Sequence, residues 1–527
     1  MSLAANSESQ VVFMGRGNSR AVVNAEVSKE LIFAVVGPVG SGTTWVAQAL
    51  GKLAGETFDT KNIVPIKASR VIEDGYAESL GDQPNKLDRA TKLQDAGDIL
   101  RQSDEGAVGA LLIAKIKEER AKLLAQKQST EDVTYLPDST QKPRIYIIDS
   151  LKHPAEVELL RSVYREAFCL IGVVCESDIR QRRLQDGKCS GSSLNQIKEF
   201  MRRDESAKDK WGQQVSKTFH LSDFFIDNTP ERMIDGKENK DWDVTEKLGR
   251  LLDILQGKKI VRPFASETGM FHAAGAQLRS ACLSRQVGAS LTDAKGNLIA
   301  TGTNEAPKAG GGVYGGDFAS EAGIPSEDHR CAITNKYCSN TKEQDKIIKE
   351  VIGSIPELRG IADTERIVRD LKETAVGRLL EFSRAVHAEM DALMSAARAG
   401  ISTVNTKLFV TTFPCHYCAR HIVTAGVSEV QFIEPYPKSK AYDLHGDAIE
   451  HVFMKWFRKP EDEPFKVLFR PFTGVAPRMY VKAFLKNRDL KNSSGVLSIG
   501  EPKWTPGLLQ KSYLQLEDAL ESDQNGK

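Results

Sequence analysis

Two short motifs constrain the fold of this chain more than any other feature. They are His387-Ala388-Glu389 and Pro414-Cys415-His416-Tyr417-Cys418. One imidazole and two thiolates suit a catalytic zinc site, which takes three protein ligands and leaves a fourth position for water. We therefore predict that the chain brings His387, Cys415 and Cys418 to one zinc ion. Glu389 follows the His by two residues, and we expect it beside the open position, where a carboxylate can carry protons.

The residues around the motifs predict how the chain brings them together. Residues 376–399 have the apolar period of a helix, 408–412 have the pattern of a buried strand, and 419–425 have that of a second helix. In this arrangement the N-termini of two helices face each other across the metal. A structural zinc site is the alternative, and it would need a fourth protein ligand, for which His416 and His421 are the candidates.

Composition places the chain among globular proteins of more than one domain. Its 527 residues exceed the size of one ordinary domain. The 72 Lys and Arg residues nearly balance the 71 Asp and Glu residues, so no basic excess indicates a nucleic-acid coat. No apolar run reaches the roughly 18 residues of a membrane-spanning helix. The 8 cysteines and the lack of a secretion signal predict a reducing, cytoplasmic location.

Strand-like and helix-like segments alternate in the first half of the chain, which predicts an α/β domain with a parallel sheet. The expected strands are 31–36, 145–148 and 169–174. In the second half, a helix at 270–285 precedes strands at 287–291 and 298–302. The predicted organisation is a flexible N-terminus 1–28, an α/β domain 29–255, a linker 256–268, a zinc domain 269–485 and a C-terminal tail 486–527.

The segment from Gly37 to Thr44 has the frame of a phosphate-binding P-loop, G-x-x-x-x-G-K-[ST], between a strand and a helix. Thr43 stands where the motif has Lys, so the loop lacks the charge that normally reaches the β- and γ-phosphates. We expect a nucleoside triphosphate with Mg²⁺ here; the alternative is a degenerate loop kept only as architecture. The predicted nucleotide-binding residues are Gly37, Gly40, Ser41, Gly42, Thr43, Thr44 and Asp149, with a lid from Arg180, Arg182 and Arg183.

The zinc motifs have the H-x-E…P-C-x-x-C form of zinc-dependent nucleobase deaminases. Residues from about 262 to 480 resemble a deoxycytidylate deaminase, and the N-terminal half resembles a P-loop nucleotide kinase. The segments that carry the first resemblance are Arg279–Ala289, Gly302–Asn304, His387–Leu393 and Pro414–Cys418. Those that carry the second are Ile148–Pro154 and Met201–Asp204. The fusion of the two halves is similar to the bacterial antiphage dCTP deaminases.

This resemblance implies a fold and an activity. The fold would be α/β, with an N-terminal P-loop NTPase-like parallel-sheet domain and a C-terminal cytidine-deaminase-like α/β/α domain. The activity would be zinc-dependent hydrolysis of free dCTP to dUTP and of dCMP to dUMP, which drains the nucleotide pool that phage replication needs. The family also implies a toxin–antitoxin arrangement, in which a small RNA and the N-terminal domain restrain the enzyme. Since deaminases of this fold usually associate, we expect a homo-oligomer.

The same resemblance assigns substrate contacts. Asn304 and Tyr436 match residues near the deoxyribose, and Thr411 and Phe413 flank the cytosine pocket by position. A phosphate group needs cationic or amide donors. The candidates are Lys308, beside a Gly-Gly-Gly turn, and Arg279; a place on the solvated surface is the alternative for each.

Four residues are candidates for a second, structural zinc. They are Cys282, His329, Cys331 and Cys338. Viral relatives of this deaminase resemble the arrangement, and four protein ligands would close a structural site. Buried free thiols are the alternative.

Two other functions share parts of the pattern. A deaminase acting on single-stranded nucleic acid would carry the same zinc motif, but it would need a basic groove lined by aromatic residues. The near-neutral charge and 7% aromatic content do not favour it. A nucleotide- or RNA-sensing regulatory protein with a vestigial zinc site is the other alternative, and the intact Glu389 argues against it.

Overall fold

A computed structural model describes residues 29–76, 85–125, 143–316, 337–451 and 466–498, together with 514, 517, 518 and 520. Breaks inside these ranges fall at 188, 208, 231–232, 235–236, 240–241, 258, 360–362, 375, 380–381, 437 and 487–488. The predicted flexible segment 1–28 lies outside the described residues. The described chain forms two units of mixed helix and sheet, which confirms the α/β class.

The first unit is built on five parallel strands. They are β1 (Glu30–Val36), β2 (Ile63–Lys67), β3 (Arg144–Leu151), β4 (Phe168–Val174) and β5 (Phe224–Asp227). Their order across the sheet is β5-β4-β1-β3-β2. Every residue of β1 is buried, as expected for a strand that helices cover on both faces.

Successive side chains of β1 point to opposite faces of the sheet and pack in two separate hydrophobic cores. Ile32 and Ala34 belong to the core on one face of the sheet, and Phe33 and Val35 belong to the core on the other. The helices are α1 (Thr43–Thr57), α2 (Ala68–Gly75), α3 (Lys86–Ser103), α4 (Ala107–Ala125), α5 (Pro154–Tyr164), α6 (Ser177–Asp186), α7 (Leu194–Glu205), α8 (Val215–Phe219) and α9 (Thr245–Gln256). A two-stranded hairpin joins β6 (Met233–Ile234) to β7 (Lys237–Glu238).

The second unit has a six-stranded sheet in the order β12-β13-β11-β10-β8-β9. The strands are β8 (Gly288–Thr292), β9 (Leu298–Thr303), β10 (Lys407–Thr412), β11 (Glu429–Glu434), β12 (Ile449–Glu450) and β13 (Val467–Pro471). Strand β8 is antiparallel to both its neighbours, whereas β10, β11, β13 and β12 are parallel. The helices are α10 (Ala265–Gln277), α11 (Ser339–Ser354), α12 (Pro356–Arg359), α13 (Thr364–Lys372), α14 (Ala388–Arg398), α15 (His416–Thr424), α16 (Ala441–His445) and α17 (Pro477–Phe484).

The two units are joined through a strand that crosses from one to the other. Strand β14 (Gly474–Val475) follows β13 of the second sheet, yet it pairs antiparallel with β5 of the first. The Val475 backbone N–H donates to the buried Glu267 carboxylate at 2.8 Å, and Arg250 binds both oxygens of that carboxylate. Residues within the predicted zinc domain 269–485 therefore complete the sheet of the N-terminal unit.

A buried ion cluster ties the predicted C-terminal tail to the same unit. Arg120 donates to Glu30 at 3.0 Å and to Glu517 at 2.6 Å, and Arg144 donates to Glu30 at 2.6 Å. The Tyr164 hydroxyl also donates to Glu517, at 2.6 Å. All five side chains are buried. The sequence predicts 486–527 only as a C-terminal tail, whereas the structure shows Glu517 as part of the N-terminal core.

The charges in this cluster favour the ionised carboxylates. Burial alone raises the pKa of Glu30, but the guanidinium groups of Arg120 and Arg144 outweigh it and lower the pKa to about 2. The folded-state pKa lies below the ordinary value of 4.5. Glu30 therefore stabilises the fold at pH values above its ordinary pKa of 4.5, and this contribution is lost as the pH falls through the folded-state pKa of about 2.

The predicted strands are confirmed to within a few residues, but two helices differ from their predictions. The helix predicted at 376–399 begins only at Ala388, since His387 is its extended cap residue. The helix predicted at 270–285 runs from Ala265 to Gln277 and so starts inside the predicted linker 256–268. In the described ranges, no helix is long and apolar enough to cross a membrane.

We predict that Glu517→Ala destabilises the N-terminal unit by about 3 kcal/mol, because it leaves a buried guanidinium without one of its two carboxylates. Urea and thermal unfolding of the full chain, followed by tryptophan fluorescence, measure the change. Asp518→Ala is the matched control, since that neighbouring side chain is 68% exposed. Equal losses in the two variants would contradict a special role for the buried cluster.

Candidate active site

Two helix N-termini carry the predicted metal ligands. His387 is the cap residue of α14, and Cys415 is the cap residue of α15, just beyond the end of β10. The Cys415 sulfur accepts a hydrogen bond from the Cys418 backbone N–H at 3.5 Å. The helices therefore begin at the residues that face the metal position.

Close packing on β9 holds α14 in place. A Cβ atom at Gly302 would lie 2.1 Å from the Ala388 carbonyl oxygen, so only glycine lets the helix approach this closely. One residue further along, the Thr303 backbone N–H donates to the Asp391 carboxylate at 3.1 Å. These contacts fix the first turn of α14, which carries both His387 and Glu389.

The three predicted ligands converge on one point. The Nδ1 atom of His387 lies 3.3 Å from the Cys415 sulfur and 3.3 Å from the Cys418 sulfur, and all three donor atoms lie within 4.8 Å of one another. Ordinary zinc–sulfur and zinc–nitrogen bond lengths in a tetrahedral site separate such donors by about 3.5 Å. The donor set and its spacing therefore fit zinc.

The groups around Cys415 favour the thiolate form of its side chain. A hydrogen bond from the Cys418 thiol and the nearby His387 lower the pKa of Cys415 to about 4, although burial opposes this shift. The hydrogen bond to Cys415 and burial hold the pKa of Cys418 well above its usual range. A bound divalent cation deprotonates a coordinating thiol outright, so the pair becomes a dithiolate when zinc is held.

Glu389 lies on the first turn of α14 and is only 4% exposed. Burial, reinforced by the negative Cys415 sulfur, raises the pKa of Glu389 to about 7. A carboxyl group that titrates near neutral pH can both accept and return a proton, which is the property that general acid–base catalysis requires.

The alternative of a four-ligand structural zinc site finds no support among the described residues. The cluster of metal-binding side chains found there has three members, His387, Cys415 and Cys418. His416 is outside it, and its buried Nδ1 atom makes no hydrogen bond in the described part of the chain. His421 is also outside, on the wall of a neighbouring cavity. Three ligands leave a position open, as a catalytic site requires.

A cavity of about 310 Å³ opens onto this cluster. It contains His387, Glu389 and Cys415 together with residues that precede β8 or follow β9, β10 and β11, all at one edge of the sheet. The other lining residues are Cys282, Ser284, Arg285, Val287, Asn304, Asn340, Ser383, Ala385, Ala388, Thr412, Phe413, Tyr436 and Lys438.

Three of the predicted substrate residues line this cavity, namely Asn304, Phe413 and Tyr436. The Asn304 side chain accepts a hydrogen bond from the Val287 backbone N–H and donates to the Arg285 carbonyl, so it holds the start of β8 in place. Thr411 is not in the lining, and its hydroxyl accepts a hydrogen bond from the Gly288 backbone N–H instead.

The predicted phosphate-binding cations do not line the cavity, whereas two other cations do. Arg279 and Lys308 are absent from the lining, and Arg285 and Lys438 are present. The Arg285 guanidinium lies 5.5 Å from the Tyr436 ring centre. Arg285 stands inside the segment that carries the family resemblance, but charge pattern alone could not tell it from Arg279.

Comparison with known proteins places this geometry in a family. Residues 265–434 match the model of the cytidine and deoxycytidylate deaminase zinc-binding region. The deoxycytidylate deaminase of Enterobacteria phage T4 is 30% identical over 161 residues, which are 31% of this chain and 73% of that protein. The chain belongs to the cytidine and deoxycytidylate deaminase family. ComE operon protein 2 of Bacillus subtilis (strain 168) is 35% identical over 74 residues, 13% of this chain and 39% of that protein.

A solved structure is similar over a larger share of the chain. It is the dCMP deaminase from the cyanophage S-TIM5 in complex with dCMP and dUMP, at 19% identity and a TM-score of 0.23. The similarity covers 40% of this chain and 99% of that chain.

Outside the deaminase site, the predicted nucleotide loop lies between β1 and α1. Gly40 and Gly42 both have φ of 84°, the left-handed region that glycine adopts without strain. The Thr44 hydroxyl donates to the Asp149 carboxylate at 2.7 Å, so the structure brings these two predicted residues together. On α6, the predicted lid residue Arg180 reaches the Val39 carbonyl at 3.4 Å.

The candidates for a second zinc are only partly described. Cys282 and Cys338 line a common small cavity, where the Cys338 sulfur lies 3.3 Å from the Ser284 hydroxyl. His329 and Cys331 lie outside the described residues. The second zinc therefore stays a prediction.

We predict that His387→Ala reduces bound zinc from about one ion per chain to a small fraction, since losing one of three ligands removes much of the affinity. Inductively coupled plasma mass spectrometry of the purified, dialysed protein measures the content. His421→Ala is the matched control and should keep its zinc. Full zinc retention by the His387 variant would contradict the ligand assignment, and zinc lost from Cys282→Ser would indicate the second site.

Proposed function

We propose that this deaminase hydrolyses free deoxycytidine nucleotides, converting dCMP to dUMP and dCTP to dUTP with release of ammonia. The observation that carries the proposal is one cavity that combines the zinc-type ligands and the buried Glu389 with exposed cations on its outer wall. The phage T4 relative, a deoxycytidylate deaminase, supports a nucleotide substrate.

The chemistry is a hydrolytic exchange of an amine for an oxygen. When held by His387, Cys415 and Cys418, zinc supplies a water activated for attack at neutral pH. Glu389 accepts a proton from the attacking water as its oxygen bonds to C4 of cytosine. Glu389 passes this proton to the ring nitrogen, then takes the proton of the new C4 hydroxyl and passes it to the amine. The C4–N bond breaks as the C4 carbonyl forms, and ammonia leaves. The burial of Glu389, which disfavours its charged form and raises its pKa, favours this two-way transfer.

An aromatic cluster forms a rigid wall beside the base. The Phe413 ring packs edge-on against Phe432 at 4.8 Å and against Tyr442 at 5.2 Å. Edge-to-face packing of this kind holds rings in one orientation. Phe413 can therefore position a cytosine ring against the metal site without having to be ordered by the substrate.

The outer wall supplies the charge that a phosphate group needs. Arg285 and Lys438 are exposed and line the cavity, while His387 and Glu389 lie deeper. Guanidinium and ammonium donors form strong charge-assisted hydrogen bonds with phosphate oxygens. We propose Arg285 as the main phosphate contact, because the Tyr436 ring and the Glu434 carboxylate, 3.4 Å away, hold its guanidinium in place.

A single-stranded nucleic-acid substrate is the second candidate, and the cavity does not favour it. A strand-binding surface needs a basic groove with aromatic stacking platforms along several nucleotides. The described lining has Arg285 and Lys438 as its Lys and Arg residues and Phe413 and Tyr436 as its aromatic residues. This set suits one nucleotide rather than a strand.

Release of ammonia and uracil product from dCMP, dCTP and a cytosine-rich oligonucleotide, assayed in parallel, tests the proposal. We expect turnover of the free nucleotides only. Glu389→Gln should reduce turnover by at least about 10³-fold while zinc stays bound, because the amide keeps the shape but cannot carry the proton. Turnover of the oligonucleotide alone would overturn the proposal, and zinc loss from the Glu389 variant would overturn the proton-carrier role.

We predict that Arg285→Ala raises the KM for dCMP by about tenfold with little change in kcat, because it removes a contact that is the same in the ground and transition states. Steady-state kinetics with dCMP and with deoxycytidine distinguish a lost phosphate contact from a structural change, since deoxycytidine has no phosphate group. Arg279→Ala is the matched control. An equal loss with deoxycytidine would show that Arg285 acts through the structure and not through phosphate.

We further propose that the N-terminal unit binds a nucleoside triphosphate with Mg²⁺ and restrains the deaminase. The loop between β1 and α1 and the contact between Thr44 and Asp149 support this site. Depletion of deoxycytidine nucleotides as antiphage defence, restraint by a small antitoxin RNA and a homo-oligomeric state rest on the family resemblance. A cytoplasmic location rests on the cysteine content of the sequence. These features are part of the function that we propose.

A further inference from the structure

A lysine from outside the motif reaches the loop formed by Gly37 to Thr44, called here the 37–44 loop. The Nζ atom of Lys152 donates to the Gly37 carbonyl at 3.2 Å. Lys152 directly follows β3, the strand whose Asp149 binds Thr44. The loop lacks the motif's own lysine, since Thr43 occupies that position. Lys152 therefore brings an ammonium group to the same loop from a neighbouring strand.

A carboxylate occupies the donors that this arrangement offers to an anion. Asp204, on α7, accepts a hydrogen bond from the Val39 backbone N–H at 2.7 Å and one from Lys152 Nζ at 2.8 Å. Its side chain is only 3% exposed. A backbone amide of the loop and a lysine ammonium are the donors that P-loops present to phosphate oxygens. Here the Val39 N–H and the Lys152 ammonium both donate to the Asp204 carboxylate.

Two buried donors beside the loop have no partner within the described part of the chain. They are the Ser41 hydroxyl, which is fully buried, and the Nε atom of Arg180, whose residue is 6% exposed. Ser41 Oγ lies inside the loop, 2.5 Å from the position that a Gly37 side chain would take. Arg180 lies against Gly40 from the other side. Buried polar groups are normally bonded, so these two point to a ligand.

We infer that the 37–44 loop is a triphosphate site in which Lys152 supplies the missing lysine charge and Asp204 is a built-in competitor that the phosphate groups displace. The inference rests on the proposed nucleotide site of the N-terminal unit and is independent of the deaminase chemistry. A triphosphate brings more negative charge to Lys152 than one carboxylate does. It also offers the additional acceptors that Ser41 and Arg180 lack.

Displacement of Asp204 would move the helix that carries it. The neighbouring Glu205 binds Arg180 at 2.6 Å, and Arg203 binds Asp98 on α3 at 2.8 Å. The end of α7 is therefore tied to α6 and α3 as well as to the loop. Triphosphate binding at the loop would break the tie through Asp204 and leave the end of α7 held by α6 and α3.

Calorimetric titration of the full-length, zinc-loaded protein tests the inference, with inorganic tripolyphosphate and ATP, each with Mg²⁺, as probes. Asp204→Asn keeps the shape of the side chain and removes its charge, and Lys152→Met keeps most of the length and removes the ammonium. Glu199→Gln and Lys198→Met on the exposed side of α7 are the matched controls. Thermal unfolding and dCMP turnover show that each variant is folded.

We expect Asp204→Asn to tighten binding of both probes by about tenfold, since removing a competitor raises the fraction of competent loops. Lys152→Met should weaken binding by about tenfold, and the controls should leave it unchanged. Equal affinity for the two probes assigns the site to the triphosphate group, and tighter binding of ATP assigns it to a nucleotide; either result supports the inference.

Three results would overturn it. Wild type and Asp204→Asn binding with equal affinity would remove the competitor role and leave the proposed nucleotide site standing. A loss of thermal stability in Asp204→Asn without tighter binding would make the residue structural. Failure of every folded variant to bind either probe would remove the nucleotide site itself, with deaminase turnover unaffected.

Discussion

Convergence of two helix N-termini on one point is the constraint on which the deaminase half depends. His387 and Cys415 cap their helices, so the residues that bind metal are also those at which α14 and α15 begin. Gly302 allows α14 to lie against β9, and a side chain there would push the helix away. The position of Glu389 follows from the same contact. The cluster of metal-binding side chains, the position of Glu389 and the packing of α14 are therefore consequences of one local arrangement.

The chain does not fold as two units joined by a flexible segment. The Glu267 carboxylate, bound by Arg250, accepts the backbone N–H of the strand that extends the N-terminal sheet. Glu517 enters the N-terminal core through Arg120. A buried charge that loses its partner costs several kcal/mol, so these contacts resist separation of the units. Such a chain can carry a change of shape in one half to the other.

The convergence of His387, Cys415 and Cys418 could be predicted because zinc chemistry demands fixed residue types at fixed local spacing. The strands could be predicted because buried parallel strands are continuous apolar runs. The cations on the cavity wall could not be predicted, since Arg285 and Lys438 come from distant segments that only the folded sheet brings together. The role of Glu517 has no local pattern either, because its partners lie far away in sequence. Local periodicity identifies elements, whereas long-range ion pairs depend on topology.

The 37–44 loop and the deaminase cavity are linked by strand pairing and by the chain segments that connect the paired strands. The side chain of Asn228, just after β5, donates to the Ser41 carbonyl at 2.7 Å. Strand β5 pairs with β14, which follows β13, and β13 pairs with β11, which leads to Tyr436 on the cavity wall. Coupling between sites needs rigid elements in contact and a part with two arrangements. The sheets supply the first, and the proposed exchange of Asp204 for a triphosphate at the 37–44 loop would supply the second.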